Sequence, residues 1–306
     1  MNTKQDVHIC FLVLHYLDIE LTAKTIESIR GLNNFGNSKI VVVDNASPNG
    51  SGELLEQKYK ERKDVHIILS ESNNGFSAGN NIGFLYIKHN FISDFVITVN
   101  NDVLFPQKDF IDKLDALYKL EPFWIAGPDI YEPHRDYHSS PMYEHSLSAQ
   151  EAEKVIKNME RERQKLVKKF SLYGIKLYVR DCLRENYKIR LFIRLNRLVR
   201  GQKRKYRERS EGIVLQGACL IFDKRYCDKN SELFLPLTFM YGEEILLTLQ
   251  CVKNNWEIRY FPELIVWHFS RGSSQCMKMS YREYCKKVIL ELDRRQEAYR
   301  IYTEQL

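Results

Sequence analysis

The sequence has no pair of cysteines at the short spacing of a zinc ribbon or a dithiol redox site. Its seven cysteines, at 10, 182, 219, 227, 251, 276 and 285, are odd in number and scattered. That argues against a disulfide framework or structural zinc and fits a reducing compartment. No apolar run approaches the roughly 20 residues of a membrane span. The longest, such as Ile9 to Leu14 and Ile40 to Val43, suit buried strands. Met1 to Val7 is polar and lacks the charged-then-apolar order of a secretory leader, so no signal peptide is expected. Neither a GxGxxG fingerprint nor a P-loop GKS or GKT occurs, which removes the commonest phosphate-cradling motifs. There is no internal repeat, no low-complexity tract and no recognisable nucleic-acid module.

What is present is ordinary for a globular chain, with 44% hydrophobic and 28% charged residues over 306 positions. That length can bury a core without covalent staples. The net charge of +6 conceals an asymmetry, because residues 151–210 hold 20 Lys and Arg against 7 Asp and Glu. This segment therefore carries +13 and the remainder −7, a basic piece on an acidic body that calls for an anionic partner.

The first third alternates strands and helices. Strands are expected at Val7–Leu14, Lys39–Val43, Val65–Leu69 and Phe95–Val99, and helices at Glu20–Leu32, Gly52–Arg62, Ala78–Asn90 and Phe110–Leu120. This repetition implies a mainly parallel sheet flanked by helices on both faces. Trp124–Tyr131 reads as a further strand and Glu132–Ser148 as a loop. Ala149–Arg209 is helix-prone and basic, with only Gly174 and Gly201 as glycines. Strand character returns at Ile213–Phe222, Glu257–Phe261 and Leu264–His268, with helices at Glu243–Lys253 and Tyr281–Glu304. The expected organisation is an α/β domain from 1–131 and 211–275, a basic loop and helical insertion at 132–210, and a C-terminal helix at 276–306.

In open parallel sheets, ligands bind beyond the carboxyl ends of the strands. Four polar clusters fall at such ends. They are His15-Tyr16, then Asp44-Asn45-Ala46-Ser47, then Asn73-Asn74-Gly75-Phe76, then Asn100-Asn101-Asp102. Asp44 suits a nucleobase or ribose, and equally an Asx-turn or helix cap. The run from Asn74 through Gly79, Asn80 and Asn81 permits close backbone approach and offers helix N–H groups to a phosphate; a turn capped by Ser77 is the plainer alternative. Asp102 with neighbouring amides could help hold a hard divalent cation, or be only a turn.

In order and spacing, VVVDNASPNGS, NNGFSAGNNIGF, VITVNNDVLF, QGACLIF, FMYGEEILLTLQ and IRYFPELIVWHFSRGSS resemble a family 2 glycosyltransferase of GT-A fold, specifically its bacterial rhamnosyltransferase-like branch. The resemblance implies an inverting transfer from a UDP- or dTDP-sugar to a hydroxyl of a glycan or lipid-linked acceptor in surface polysaccharide synthesis. It implies that Asp44 contacts the pyrimidine nucleoside and that Asn74 to Asn81 line the donor pocket. It places Asp102 last in a metal motif that here reads NND, with an amide for the first carboxylate, and His268 beside Mg2+ or Mn2+. Glu243-Glu244 takes the place of an acidic pair whose second member is the base. Gln216-Gly217-Ala218 lies on the acceptor side. Without the resemblance, Glu243-Glu244 would read as a charged helix start, His268 as a packed histidine, and Gln216-Gly217-Ala218 as strand packing.

The insertion mixes apolar and basic residues at helical spacing. This suits an anionic membrane surface met through 149–209, and suits equally a helical subdomain packed on the core. A cytoplasmic protein, peripheral at the inner face of the membrane, is expected. Two other classes compete. One is a non-catalytic sugar-nucleotide-binding or membrane-scaffolding protein, which the NND variant favours. The other is a nucleotidyltransferase, which the His-Tyr-Leu-Asp-Ile-Glu segment after the first strand disfavours.

Overall fold

The computed structural model describes residues 7–168, 171–183, 204–269 and 279–306. Ten strands form one mixed sheet among these residues. They are β1 (Ile9–His15), β2 (Lys39–Asp44), β3 (Val65–Leu69), β4 (Phe95–Asn100), β5 (Val103–Leu104), β6 (Ile125–Glu132), β7 (Tyr137–His138), β8 (Ser210–Glu211), β9 (Cys219–Asp223) and β10 (Ile258–His268). The helices are α1 (Ile19–Arg30), α2 (Ser51–Tyr59), α3 (Gly75–Asn90), α4 (Phe110–Leu120), α5 (Ala149–Val167), α6 (Leu172–Leu183), α7 (Lys224–Lys229), α8 (Glu243–Asn254) and α9 (Tyr281–Gln305).

The sheet runs β3-β2-β1-β4-β9-β6-β10-β5. Its first four strands are parallel. β1 is buried from Ile9 to Val13 without alternation, as a strand covered on both faces must be. One face packs against α1, α2 and α4 through Ile26, Leu55 and Leu114, the other against α3 and α8 through Phe84 and Leu247. Asp18 starts α1 by accepting the Leu21 N–H at 2.9 Å, and Gly31 closes it.

The expected sheet needs amendment in its second half. β9 enters antiparallel between β4 and β6, so the nucleotide-type half is parallel and the rest mixed. Of the expected Ile213–Phe222 strand only the end is strand, although Ile213, Val214 and Leu215 are buried and Val214 bridges to Tyr143. The two strands expected at 257–261 and 264–268 are one, β10, whose register slips between Phe261 and Ile265 where Pro262 has no N–H to give a ladder. α3 starts three residues early, at Gly75.

A third cluster lies off the sheet. Met159 and Leu166 of α5 meet Ile245 and Leu249 of α8 and Leu292, Tyr299 and Tyr302 of α9. Much of the described insertion thus packs on the body. α5 and α9 each begin with a capping box, Ser148 with Glu151 and Ser280 with Glu283. Among the described residues no helix is long and apolar enough to cross a membrane. The apolar and basic run from Tyr187 to Val199, Gly201, and the end of the last family-like stretch, 270–274, lie outside the described residues.

Candidate active site

Parallel pairing brings three polar strand ends to one edge, since His15 lies opposite Asp44 and Leu14 opposite Asn100. His15 is fully buried. Its Nδ1 lies 2.6 Å from Thr22 Oγ1 and its Nε2 2.8 Å from Ser51 Oγ, with Asp44 Oδ1 3.7 Å away. Burial lowers its pKa, and the charges of Asp44 and Asp18 oppose that less strongly. Both ring nitrogens are engaged inside the protein, so His15 braces the ends of α1 and α2 rather than facing the edge. Asp44 caps its own loop three residues on, accepting from Ser47 N at 3.1 Å and from Ser47 Oγ at 2.5 Å. Ser47 Oγ in turn accepts from the N–H of Leu17. Gly52 is required here because any Cβ would collide with the Asp44 carboxylate. Tyr16 stands exposed on the loop that follows β1.

Asn45 joins the β2 end to the β3–α3 loop. Its Nδ2 donates to Gly75 O at 2.9 Å and Asn73 Oδ1 at 3.1 Å, and its Oδ1 accepts from Asn74 N at 2.9 Å. The phosphate cradle expected at the start of α3 is already filled by protein. Gly75 N donates to Asn73 Oδ1 at 3.0 Å, and Phe76 N to the carbonyl of Phe239 at 2.9 Å. Gly75 has φ +76°, and a Cβ there would overlap that carbonyl. Ser77 does not cap; it is buried within α3 and its hydroxyl has no partner. Asn80 bonds back to Phe76 O, and Asn81 holds the backbone of Leu233 and Phe234. Gly79 lies close against Leu14 and Asn45.

Residues 231–242 pack over the start of α3, and only their last part, Phe239–Gly242, had a signal in the sequence. Arg294 of α9 stacks on Phe239 at 4.7 Å, Arg295 on Tyr241 at 5.6 Å, and the Tyr241 hydroxyl donates to Glu291 at 2.9 Å. The Arg294-Arg295 pair could have been noticed, but nothing local tied it to this loop.

Asn101 turns its Nδ2 inward, to Thr22 Oγ1 at 3.1 Å. Asp102 does face the edge. Antiparallel pairing of β5 with β10 sets Val103 opposite His268, which puts Asp102 Oδ1 3.2 Å from His268 Nε2. Burial, the largest single effect, lowers the His268 pKa, but the hydrogen bond and charge of Asp102 with the charge of Glu132 raise it overall. Among the described residues no group of three His, Cys, Asp or Glu could hold a metal. Two suffice for a cation that draws its other ligands from phosphate and water. Neighbouring ligands of an octahedral ion with bonds of about 2.1 Å lie about 3.0 Å apart, so the Asp102–His268 spacing fits.

Glu243 and Glu244 open α8 behind Gly242, whose φ is +95° and whose Cα faces Ala298 of α9 so closely that a Cβ would clash. The two carboxyls part company. Glu244 is half-buried and accepts the Gly217 N–H at 3.3 Å. Ala218 N donates to Gln216 Oε1 at 2.7 Å, and Ala218 O accepts from Asn100 N at 2.9 Å. The 216–218 loop thus links Glu244 to the Asn100–Asp102 turn. Glu243 points inward, 6% exposed, with Oε1 lacking any partner. Burial first, and the Glu244 charge second, push its pKa up to about 8.

Comparison with known proteins agrees with this architecture. A low-salt glycan biosynthesis hexosyltransferase, Agl10 of Haloferax volcanii, is 33% identical over 95 residues, which is 31% of this chain and only 29% of that protein. S. aureus TarS (residues 1–349), solved with UDP-GlcNAc, superposes with TM-score 0.54 at 12% identity, covering 93% of this chain and 66% of that one. The mannosyltransferase PcManGT of Pyrobaculum calidifontis, solved with GDP-Man and Mn2+, gives 0.52 at 12%, covering 96% and 69%. At such identities the structural likeness is one of fold, the GT-A α/β fold. The sequence pattern of Glycosyl transferase family 2 matches residues 10–187, more than half the chain, and holds three of the polar strand ends described above: this protein belongs to glycosyl transferase family 2.

Proposed function

We propose that the protein is an inverting glycosyltransferase that moves a hexosyl or deoxyhexosyl group from a UDP- or dTDP-sugar to a hydroxyl of a glycan or lipid-linked acceptor, in bacterial surface polysaccharide synthesis. The carrying observation is the placement of Glu244, half-buried on the Gly217 amide, in a loop bonded to the Asn100–Asp102 turn. In this reading Asp44 and Ser47 contact the nucleoside, with His15 bracing them and Asn45 tying their loop to α3. Asp102 and His268 are the residues that would hold Mg2+ or Mn2+, which when bound stabilises the departing diphosphate.

Glu244 takes the proton of the acceptor hydroxyl. As it does so, the hydroxyl oxygen bonds to the anomeric carbon on the face opposite the diphosphate, and the bond from that carbon to the leaving oxygen breaks, which inverts the centre. Glu243 is enclosed, and burial and the Glu244 charge raise its carboxyl, so it is unsuited to reach the acceptor. The work is done on the cytoplasmic side, with residues 149–209 toward an anionic membrane surface. The non-catalytic alternative keeps some support from the NND turn.

Turnover and donor affinity of Glu244→Gln and Glu243→Gln decide the matter. Loss of a base costs about 10²–10⁴-fold, so Glu244→Gln should lose that much turnover with donor binding retained, and Glu243→Gln less. A dead Glu243→Gln beside an active Glu244→Gln reverses the roles. A wild type that binds UDP- or dTDP-sugars without hydrolysis or transfer leaves the non-catalytic reading.

A further inference from the structure

Helix α6 shows two unlike faces. The inner face is fixed to α9: the Tyr178 hydroxyl donates to Met279 O at 2.8 Å, the Tyr284 hydroxyl donates to Asp181 at 2.6 Å, and Gly174 lies beneath the Tyr281 hydroxyl. The outer face carries Leu172, Ile175 and Val179, which are 85%, 41% and 44% exposed. Their spacing of three and four residues puts them in one stripe along the helix. Val167, at the end of α5, is another exposed aliphatic residue next to it in sequence, at 59%. A lone exposed aliphatic residue is unremarkable, but a stripe of this kind on a helix fixed along its other side is not needed for packing.

The charges around the stripe indicate what covers it. Lys168 and Lys176 are exposed and have no acidic partner among the described residues. An aliphatic stripe with exposed lysines on the helix and just before it in sequence matches the boundary between acyl chains and anionic headgroups, where lysine stems lie on apolar surface and their ammonium groups reach outward. We infer that the outer face of α6 docks this protein on an anionic lipid bilayer. The inference rests on the membrane-facing reading above and narrows it from residues 149–209 to one helix face. Each lysine near such a surface adds attraction that salt weakens.

Co-sedimentation of the full chain with phosphatidylcholine vesicles, with and without phosphatidylglycerol, tests it. The wild type should bind only when phosphatidylglycerol is present. Leu172→Glu/Ile175→Glu and Lys168→Glu/Lys176→Glu should each weaken binding by about tenfold or more, equivalent to about 1.4 kcal/mol. Melting temperature and donor binding should stay at wild-type values, because these side chains are exposed. Should the glutamate pair perturb folding, Leu172→Gln/Val179→Gln repeats the test. Wild-type binding that the α6 variants leave intact overturns the α6 face and spares the broader membrane reading. A wild type that binds neither vesicle overturns both. Equal binding to both compositions overturns the choice of anionic lipid. Self-association without lipid, abolished by the same variants, gives the face to a second copy of the chain and overturns the proposal.

Discussion

Glu243→Gln should change the pH dependence of stability in a direction opposite to that of an ordinary salt-bridged acid. Burial, reinforced by the Glu244 charge, raises the Glu243 carboxyl from 4.5 to about 8 in the folded protein. Between those values the folded chain keeps a proton that the unfolded chain releases. Stability is therefore fully present below pH 4.5 and is lost as pH rises toward 8. The size of the loss is on the order of 5 kcal/mol across that window. For a chain of this length that is about 10 °C or more in melting temperature. The glutamine copies the protonated acid in shape and charge, and its carbonyl can still accept from the Glu243 and Tyr241 backbone N–H groups. The measurement is the difference in melting temperature between variant and wild type at a series of pH values, which cancels every other titrating group. The variants should melt together near pH 5, and the glutamine form should gain steadily to pH 8. A flat difference, or a variant that loses ground as pH rises, refutes the assignment of a buried neutral acid at position 243.

Two more outcomes follow from the site. Gly75→Ala forces a side chain to φ +76° and into the Phe239 carbonyl, so it should cost more than the roughly 1–2 kcal/mol of left-handed strain and expose 231–242 to protease; unchanged melting and cleavage would remove the cover from its place on α3. Asp102→Asn should keep the fold and lose turnover that added Mg2+ or Mn2+ stimulates, whereas full wild-type activity in excess chelator would take the cation away from Asp102 and His268.

The parallel half of the sheet was legible because its strands are continuous apolar runs that each end in a polar residue, as Ile40 to Asp44 shows. β9 could not be oriented from its residues, since Cys219 to Asp223 is buried throughout and a strand covered on both faces carries no mark of direction. Pro262 divided β10 on paper because the pattern registers a missing N–H but not the bulge that absorbs it. Among the site residues, type and position were readable and side-chain direction was not. His15, Asn45 and Asn101 sit at the edge in sequence, yet each spends its hydrogen bonds inward, on Thr22 and Ser51, on Asn73 to Gly75, and on Thr22. The covering loop and the Gly242–Ala298 contact depend on residues more than fifty positions apart, which no local spacing reveals.

The contact between Gly242 and Ala298 makes α9 a lever. From Tyr284, where α6 is fastened, to Ala298, beneath the start of α8, the helix runs about 21 Å at about 1.5 Å per residue. A rod of that length turns a tilt of a few degrees at one end into a shift of about 1–2 Å at the other, where Glu243 and Glu244 begin. Misplacement of a reacting group by about 1 Å can cost on the order of 10²-fold in rate. A displacement of α6 would thereby be carried along α9 to the start of α8, where Glu244 stands.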